Sequence, residues 1–491
     1  MADLHEKAAS ISPITAGPTF IRVVTLNVFG LKFISKYRRE RCKEIGRILA
    51  TRSLPPEIVA LQECWTQEDY RSIRDQTRDI LPYAKYYYSG IFGGGLAVLS
   101  KWPIEASSMF RYPLNGRPTA FWRGDWYVGK GVACASIRIG PHPRDLVEVF
   151  CTHLHAPYES EPNDSYICHR TAQAWEITKL MRGAAERGHL VLGLGDFNML
   201  PLSFAHKLIE AHAPVKDAWR VLHPKSSLGP ADHPEERKRA KDVPTASFNL
   251  TENGAASDGV FNTFRWPKPQ QKRLLRGETI QIEDTVPDPK GKRLDYIFVG
   301  SDLQLDLMKG RRWEIQSAEV GMTQRHPVLG CSLSDHFSME ASLILQSWKG
   351  PHVDDSNRTS SLNQLFYDTI LAMISTYHER ELIQQKFRLG HFIGSVFVSI
   401  GCLVAVWWSP KPFVSFLLML LSTLSLGAGL LDGLIGGLFM SSELRALKEF
   451  KWEITNSKQA ALDYRGDSTF HSDQNHVTED VSSSPFATST F

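Results

Sequence analysis

The most informative part of the sequence is His189-Leu190-Val191-Leu192-Gly193-Leu194-Gly195-Asp196-Phe197-Asn198. The apolar run predicts a buried strand, and the two glycines let its backbone approach a neighbour closely or turn. Side chains alternate along a strand, so Asp196 and Asn198 are expected on the same side. A carboxylate can order a metal or a water, and an amide can donate to a phosphoryl oxygen. The alternative interpretation is an ordinary turn after a core strand, where Asp, Asn and Gly are common.

Composition limits the class of protein. The 491 residues are enough for a large core with attachments, and the formal net charge of +3 gives no argument for nucleic acid. The seven cysteines are odd in number, scattered and free of any C-x-x-C pair. This pattern argues against a disulfide framework or zinc cluster and for a reducing compartment. The polar stretch 1–10 lacks the apolar centre of a secretory signal.

Polar residues recur where predicted strands begin or end, as they do at Asp196. The full set is Asn27, Glu63, His153, Asp196, Asn198, Asp295, Asp335 and His336. Strand patterns alternate with helical ones from about residue 18 to 346, including an amphipathic helix at 165–187. This order predicts an α/β fold of two facing sheets with helices outside. The stretch 220–291, rich in Pro, Lys, Arg, Asp and Ser, predicts insertions and surface loops, with one mobile segment over the active face.

The C-terminal part carries a membrane signal. Residues 391–409 and 413–431 are apolar runs of about 19 residues, close to the thickness of a bilayer core, and a Ser-Pro-Lys-Pro turn separates them. Cations flank the outer ends of this hairpin, which by the positive-inside rule places both ends in the cytosol. We therefore predict a flexible N-terminus at 1–18, a catalytic domain at 19–346, a linker with an amphipathic helix at 347–390, two transmembrane helices at 391–440 and a cytosolic tail at 441–491.

The strand-end residues stand in specific contexts: V-T-L-N-V, A-L-Q-E-C, C-T-H-L-H-A, G-D-F-N, R-L-D-Y-I-F-V and S-D-H-F. Together they resemble the exonuclease–endonuclease–phosphatase superfamily, whose founding fold is the pancreatic deoxyribonuclease sandwich. The resemblance covers about 19–346 and implies a four-layer, two-sheet sandwich. Within the superfamily, the chain is most similar to the neutral sphingomyelinases and inositol phosphosphingolipid phospholipases C. These share the T-H-L-H-A segment, the His169-Arg170…Gln173-Ala174-Trp175-Glu176 helix and the C-terminal membrane hairpin.

The resemblance implies cleavage of a phosphodiester by water with the help of Mg²⁺. A hard cation needs oxygen ligands, and Glu63 would be the main one, with Asn27 and Asp335 beside it or acting through water. A base must activate the water, and donors must hold the charge that builds on the phosphate. The implied base is His336, oriented by Asp295, with Asp196 placing the water; the implied donors are Asn198 and His153. His155, two residues beyond His153, is expected on the same side and held in reserve.

The expected function is a membrane-anchored phospholipase C that releases ceramide and a phosphorylated head group from a sphingolipid. Anionic phospholipids are expected activators, because a basic stretch at 32–47 and cations flank the membrane parts. The candidate compartments are the endoplasmic reticulum, another internal membrane or mitochondria, with the catalytic domain in the cytosol. The alternatives are a nuclease, such as an abasic-site endonuclease, and a non-enzymatic membrane scaffold. The head group stays open, although the chain length, the 220–290 insertion and the polar tail favour inositol phosphosphingolipids.

Overall fold

The structure is a computed structural model that describes residues 16–159, 163–300, 311–347 and 362–477. It separates into two compact units, Met1–Thr359 and Ser360–Phe491. Most of the predicted flexible N-terminus, most of the predicted linker before the amphipathic helix and the end of the predicted cytosolic tail lie outside the described residues.

The first unit is built on two six-stranded sheets. Its strands are β1 (Phe20–Asn27), β2 (Ile58–Gln62), β3 (Tyr83–Tyr87), β4 (Leu96–Ser100), β5 (Ile104–Arg111), β6 (Gly131–Arg138), β7 (Leu146–His153), β8 (Leu190–Asp196), β9 (Lys216–Asp217), β10 (Asp295–Gly300), β11 (Arg311–Gly321) and β12 (Ser338–Ser347). The first sheet has the order β11-β12-β1-β2-β4-β3, and the second β5-β6-β7-β8-β10-β9. Each contains one parallel pair, β1 with β2 and β7 with β8.

Helices cover the outer faces of the two sheets. The first unit contains α1 (Arg38–Thr51), α2 (Gln67–Thr77), α3 (Asp125–Val128), α4 (Ile167–Glu186), α5 (Phe204–His212), α6 (Ala218–Leu222), α7 (Pro234–Arg237), α8 (Ala246–Thr251) and α9 (Lys268–Leu275). Alternation along the strands supplies two cores, because β1 sends Val23 between the sheets and Val24 towards α1 and α2. Likewise α4 buries Trp175 and Met181 beside the second sheet. The predicted two-sheet α/β sandwich is confirmed.

The 220–291 insertion was predicted to form surface loops, but the structure shows helices and buried residues in it. It contains four short helices and several buried asparagines. Asn249 donates from Nδ2 to the carbonyl of Asp288 at 2.8 Å, and Asn262 donates to the carbonyl of Ser334 at 3.0 Å. These amides satisfy backbone groups that would otherwise be buried without partners, so a polar sequence packs against the sandwich.

The second unit is a helical hairpin with a third helix. It comprises α10 (Gln364–Ala405), α11 (Pro412–Leu434) and α12 (Met440–Val477). The predicted amphipathic helix and the first apolar run are one continuous helix, α10, because no residue between them breaks it. Ser399 and Ser422 join α10 to α11 through hydroxyls 2.6 Å apart. By length and composition alone, two helices here could cross a membrane, Gln364–Trp408 and Pro412–Asp463.

Asp432, near the end of α11, is paired within the second unit. It contacts the guanidinium of Arg388 and lies 2.8 Å from Nδ1 of His391, both on α10. A carboxylate near a membrane span is costly without partners, and the guanidinium of Arg388 and the imidazole of His391 supply them. Asp432 therefore links α11 to α10.

Candidate active site

Strand direction brings the predicted site residues to one edge of the sandwich. The parallel strands β1 and β2 end side by side, so Asn27 pairs with Gln62. Glu63 is the next residue after Gln62 and therefore lies at the same edge. In the second sheet, β7 and β8 are also parallel, so His153 pairs with Asp196. The antiparallel strand β10 starts at the same edge, where Asp295 pairs with Asp196.

Asp196 lies at the centre of this group and is buried. Its Oδ2 accepts a hydrogen bond from Nδ2 of Asn27 at 3.1 Å, across the two sheets. The same oxygen lies 3.5 Å from Nε2 of His153 and 3.9 Å from Nε2 of His336. Its Oδ1 accepts from the backbone N–H of Asn198 at 2.9 Å. Asp196 therefore links the two sheets at the site.

Gly195 lets β8 reach this position. Its φ is +148°, and a Cβ there would lie 1.9 Å from the carbonyl oxygen of Thr152 on β7. Asn198, three residues later, has a left-handed φ of 45°, a conformation that asparagine tolerates better than most residues. Its Nδ2 donates to the carbonyl of Leu154 at 3.2 Å, which uses one of its two N–H groups. Gly195 is thus needed because the backbones of β7 and β8 come too close there for a side chain.

His336 and Asp295 form a buried acid–base pair. Nδ1 of His336 lies 2.7 Å from Oδ2 of Asp295. Burial by itself lowers the pKa of His336, but the charges of Asp295 and Asp196 outweigh it and raise the pKa well above its ordinary value. Burial raises the pKa of Asp295 to about 6 against the opposing effect of His336. The contact with Asp295 occupies Nδ1 of His336. Nε2, which faces Asp196, is therefore the ring nitrogen that can accept a proton.

Glu63 has a carboxylate with one unsatisfied oxygen. Its Oε1 accepts from Nδ2 of Asn27 at 3.1 Å, whereas its Oε2 is buried without a hydrogen-bond partner. Burial and the charge of Asp335 raise the pKa of Glu63 to about 7. A buried carboxylate oxygen without a donor is what a bound hard cation would satisfy, and the nearby carboxylate of Asp335 adds further oxygens. Asn27 directs its Nδ2 to Glu63, while its Oδ1 accepts from the N–H of Phe29 at 3.0 Å. The residues present therefore fit a divalent cation.

A second grouping of candidate ligands overlaps this one. Asp196, Asp295 and His336 each offer a ligand atom, and the three atoms lie within 4.8 Å of one another. These three are the residues predicted to act as the base, to orient it and to place the water. Asp335, assigned to the metal, contacts Nη2 of Arg265 at 3.3 Å. Carboxylates predicted to bind the metal and carboxylates predicted to act on the water thus lie at the same edge of the sandwich.

His155 does not share the position of His153. The strand β7 ends at His153, and the chain then leaves the sheet, so alternation no longer applies. The ring of His155 stacks on Tyr166 at 4.2 Å between centroids and lies 3.6 Å from the carboxylate of Asp125. The expectation that both histidines face the same side is wrong.

Lys130 was missed by the sequence analysis. Its buried ammonium group lies 3.4 Å from the carbonyl of His153 and 3.2 Å from that of Leu154. Burial lowers the pKa of Lys130, while the charges of Asp125 and Glu63 oppose this effect. A single lysine has no motif of its own; the one available signal was its place between two glycines at the start of a strand.

This chain is similar in sequence to known proteins. The model of the Endonuclease/Exonuclease/phosphatase family matches residues 24–336. Inositol phosphosphingolipids phospholipase C of Schizosaccharomyces pombe is 37% identical over 90% of this chain and 96% of its own length. Human sphingomyelin phosphodiesterase 2 is 33% identical over 66% of this chain and 65% of its own. Among solved structures, TDP2 from C. elegans aligns with a TM-score of 0.41 and 17% identity, covering 67% of this chain and 76% of that one.

The chain therefore belongs to the Endonuclease/Exonuclease/phosphatase family, in the group of inositol phosphosphingolipid phospholipases C and neutral sphingomyelinases. The resemblance drawn from the strand-end motifs is confirmed.

Proposed function

We propose that this protein is a phospholipase C that hydrolyses phosphosphingolipids, inositol phosphosphingolipids in particular, to ceramide and a phosphorylated head group. The observation that carries the proposal is the buried edge where His336, Asp295, Asp196 and Glu63 meet, in a chain that aligns with almost the whole length of a relative named for this activity.

The reaction needs a base, and His336 has the geometry for one. Asp295 holds Nδ1 at 2.7 Å, so Nε2 accepts the proton of the water that attacks phosphorus. Asp196, 3.9 Å from Nε2, accepts a hydrogen bond from the same water and orients it. The ceramide oxygen then leaves phosphorus and takes up a proton from solvent, and His336 releases the proton that it accepted to solvent. Because a base must be neutral, the raised pKa of His336 predicts a rate that rises with pH.

Two further side chains act as donors to the phosphoryl oxygens. Asn198 keeps one amide N–H beyond its bond to Leu154. The ring of His153 lies next to Asp196, and burial followed by the charge of Lys130 lowers the pKa of His153 well below its ordinary value. A neutral imidazole can still donate one N–H, so His153 supports the phosphate without taking part in proton transfer.

Mg²⁺ is the proposed cofactor, held by Glu63 with Asn27 and Asp335. When bound, it would neutralise charge on the phosphate and stabilise the leaving oxygen. The support is the orphaned Oε2 of Glu63 and the nearby carboxylate of Asp335, whose charge helps to raise the pKa of Glu63. Titration of chelator-treated protein with Mg²⁺ and Ca²⁺ tests the identity of the ion, and full activity in excess chelator would exclude it.

The decisive experiment assays full-length protein in detergent micelles against an inositol phosphosphingolipid, sphingomyelin and an abasic-site DNA duplex. Release of ceramide from either lipid, lost in His336→Ala, would support the proposal. Cleavage of DNA with no release of ceramide would favour the nuclease instead. No activity on any of the three would favour the membrane scaffold.

We also propose that the protein spans a membrane with the catalytic domain and both termini in the cytosol. The support is the length and apolar composition of two helices together with the charges flanking them. The sequence contains N-x-S/T glycosylation sequons at Asn163, Asn249 and Asn357. Asn163 is exposed and can report the orientation, whereas Asn249 is buried in the fold. A glycan on Asn163 would reverse the proposed orientation. Location in the endoplasmic reticulum, another internal membrane or mitochondria is tested by fractionation.

Activation by anionic phospholipids belongs to the same proposal. Each Lys or Arg close to a negative surface gains about 1 kcal/mol, and salt screens this gain. We expect the rate on vesicles to rise with their phosphatidylserine content and to fall with added salt. A flat response to both would remove anionic lipid as an activator.

A further inference from the structure

Two cations and a carboxylate, from the insertion and from the residue that follows it, stand beside the active site. Lys292 Nζ lies 2.7 Å from Oδ2 of Asp258, and Arg265 Nε lies 2.6 Å from Oδ1 of the same carboxylate. Arg265 also reaches Oδ2 of Asp335 with Nη2 at 3.3 Å. We call Asp258, Arg265 and Lys292 the rim cluster. None of the three was among the predicted site residues.

Backbone pairing fixes the rim cluster to the catalytic residues. Ser257, which precedes Asp258, forms bridges with both Lys292 and His336. Its N–H donates to the carbonyl of Lys292 at 3.0 Å, and the N–H of Lys292 donates back at 2.9 Å. In addition, the N–H of Phe337 donates to the carbonyl of Ala256 at 2.8 Å. The segment that carries Asp258 is therefore joined to the segment that carries the proposed base.

Arg265 is held in the same way. It ends a short 3₁₀ turn at Thr263–Arg265 whose residues bond to the chain just before Asp335. Thr263 exchanges two hydrogen bonds with Ser332, at 2.8 and 3.0 Å, and Asn262 donates to the carbonyl of Ser334. A long, flexible side chain gains positional accuracy when its backbone is fixed on both sides.

The charges of the rim cluster are accessible. The side chains of Arg265, Lys292 and Asp258 are 40%, 29% and 23% exposed. Ion pairs with this exposure contribute little to stability, so stability alone is a weak reason for two cations to share one acid here. Burial alone would raise the pKa of Asp258, but Lys292 and Arg265 lower it overall, so this carboxylate stays an acceptor at neutral pH.

We propose that the rim cluster is the subsite that selects the head group, and that it favours inositol phosphate over phosphocholine; this inference rests on the proposed function. Inositol offers hydroxyls that can donate to Asp258 and accept from Arg265 and Lys292. The guanidinium has five donors, of which the contacts above use two, and the ammonium has three. Phosphocholine instead presents a quaternary ammonium, which has no hydrogen to donate to Asp258 and no lone pair to accept from Arg265 or Lys292.

The test compares Arg265→Gln and Lys292→Gln with a matched control. Arg273→Gln breaks an arginine–glutamate pair, Arg273 to Glu278 at 2.6 Å, on a helix of the same insertion. For each full-length variant, kcat/KM is measured in micelles on an inositol phosphosphingolipid and on sphingomyelin. We expect the ratio of the two values to fall about tenfold in both rim variants, the scale of one charge-assisted hydrogen bond, and less than twofold in the control.

A second readout does not depend on turnover. Free inositol phosphate and phosphocholine are used as competitive inhibitors, and the Ki of inositol phosphate is expected to rise about tenfold in the rim variants. Arg265→Lys, which keeps the charge and loses the planar fork, should give an intermediate value. If Arg265→Gln lowers the thermal midpoint, the Lys292→Gln variant and the Ki values decide whether the rim cluster selects the head group.

The outcomes separate the two proposals. If wild-type protein hydrolyses neither lipid, the proposed function fails. If it hydrolyses sphingomyelin alone, or if the ratio and the Ki stay unchanged in both rim variants, the rim cluster does not select the head group although the proposed function stands. An equal fall in Arg273→Gln would also overturn the subsite, because the effect would then be general to the insertion.

Discussion

The substitution Glu63→Gln separates the stability of the protein from its activity. In the metal-free protein, Glu63 is a buried carboxylate with one oxygen, Oε2, that no donor satisfies. Burial, followed by the charge of Asp335, raises its pKa from the ordinary 4.5 to about 7. Glutamine keeps the shape and the acceptor for Asn27 but carries no charge. We therefore expect Glu63→Gln to be more stable than wild type without metal and to be inactive with it.

The size of the effect follows from linkage. A raised pKa means that the folded state disfavours the ionised carboxylate, and each pKa unit corresponds to about 1.4 kcal/mol. The change from 4.5 to about 7 gives a penalty of about 3 kcal/mol for wild type. This penalty is absent below pH 4.5, grows as the pH rises to 7 and is complete above it. The corresponding increase in thermal midpoint at pH 8 is roughly 4 °C.

The assay is a thermal scan of full-length protein in detergent with excess chelator, at pH 8 and at pH 4.5. Glu340→Gln is the matched control, since Glu340 is also buried but holds Arg52 through two bonds of 2.6 and 2.8 Å. We expect Glu63→Gln to raise the midpoint at pH 8 only and Glu340→Gln to lower it. Added Mg²⁺ should stabilise wild type and not Glu63→Gln. A midpoint that falls in Glu63→Gln, or that still rises with Mg²⁺, would refute the reasoning.

Two other changes test buried charges, one at the site and one on β9. Asp295→Asn should lower turnover by about 10³–10⁴-fold. It should also shift the rising limb of the pH–rate profile to lower pH, because Asp295 is the main group that raises the pKa of His336. If the limb does not move, a group other than His336 causes it. Asp217→Asn should cost about 3–5 kcal/mol in urea unfolding at pH 7, since the buried Arg293 loses a carboxylate bound at 2.8 and 3.0 Å. Burial alone would raise the pKa of Asp217, but Arg293 and His206 lower it, so the wild-type advantage should shrink as the pH falls below about 3.9; a difference independent of pH would contradict this.

The two-sheet sandwich could be predicted because its strands are short, apolar and bounded by turn residues. The residues near its active edge followed from strand direction. Where two strands run parallel, their carboxyl ends meet, so Asn27 and Glu63 are neighbours although 36 residues apart. The same geometry pairs His153 with Asp196. Short motifs at strand ends therefore carry much information about a site.

The insertion could not be predicted in the same way, because polar residues there are buried by hydrogen bonds rather than by hydrophobicity. Asn253 accepts from the N–H of Ser227 at 2.9 Å and donates to Asn249 at 2.7 Å. No periodic pattern marks such contacts, since each satisfies a backbone or amide group at a distant position. The rim cluster escaped notice for the same reason: Asp258 and Lys292 are 34 positions apart and meet only in the fold.

The two histidines of the T-H-L-H-A segment show where strand alternation stops being informative. His153 is the last residue of β7, and the next N–H, that of Leu154, donates to the carbonyl of Asp196 at 3.0 Å. The N–H of His155 then donates to the side chain of Gln173 on α4 at 3.0 Å. Burial, followed by the charge of His169, lowers the pKa of His155 well below its ordinary value. His155 is therefore a buried ring that packs against Tyr166.

We therefore expect substitutions of His155 to act on stability. His155→Ala removes a fully buried ring stacked on Tyr166 and should lower the free energy of unfolding by about 2–4 kcal/mol, with turnover falling only as folded protein is lost. His155→Phe keeps the ring volume and should retain most of the turnover. His153→Ala should do the reverse, lowering turnover at an unchanged thermal midpoint. If His155→Phe keeps the wild-type midpoint and is nonetheless as inactive as His336→Ala, the imidazole of His155 takes part in the reaction and its assignment to packing is wrong.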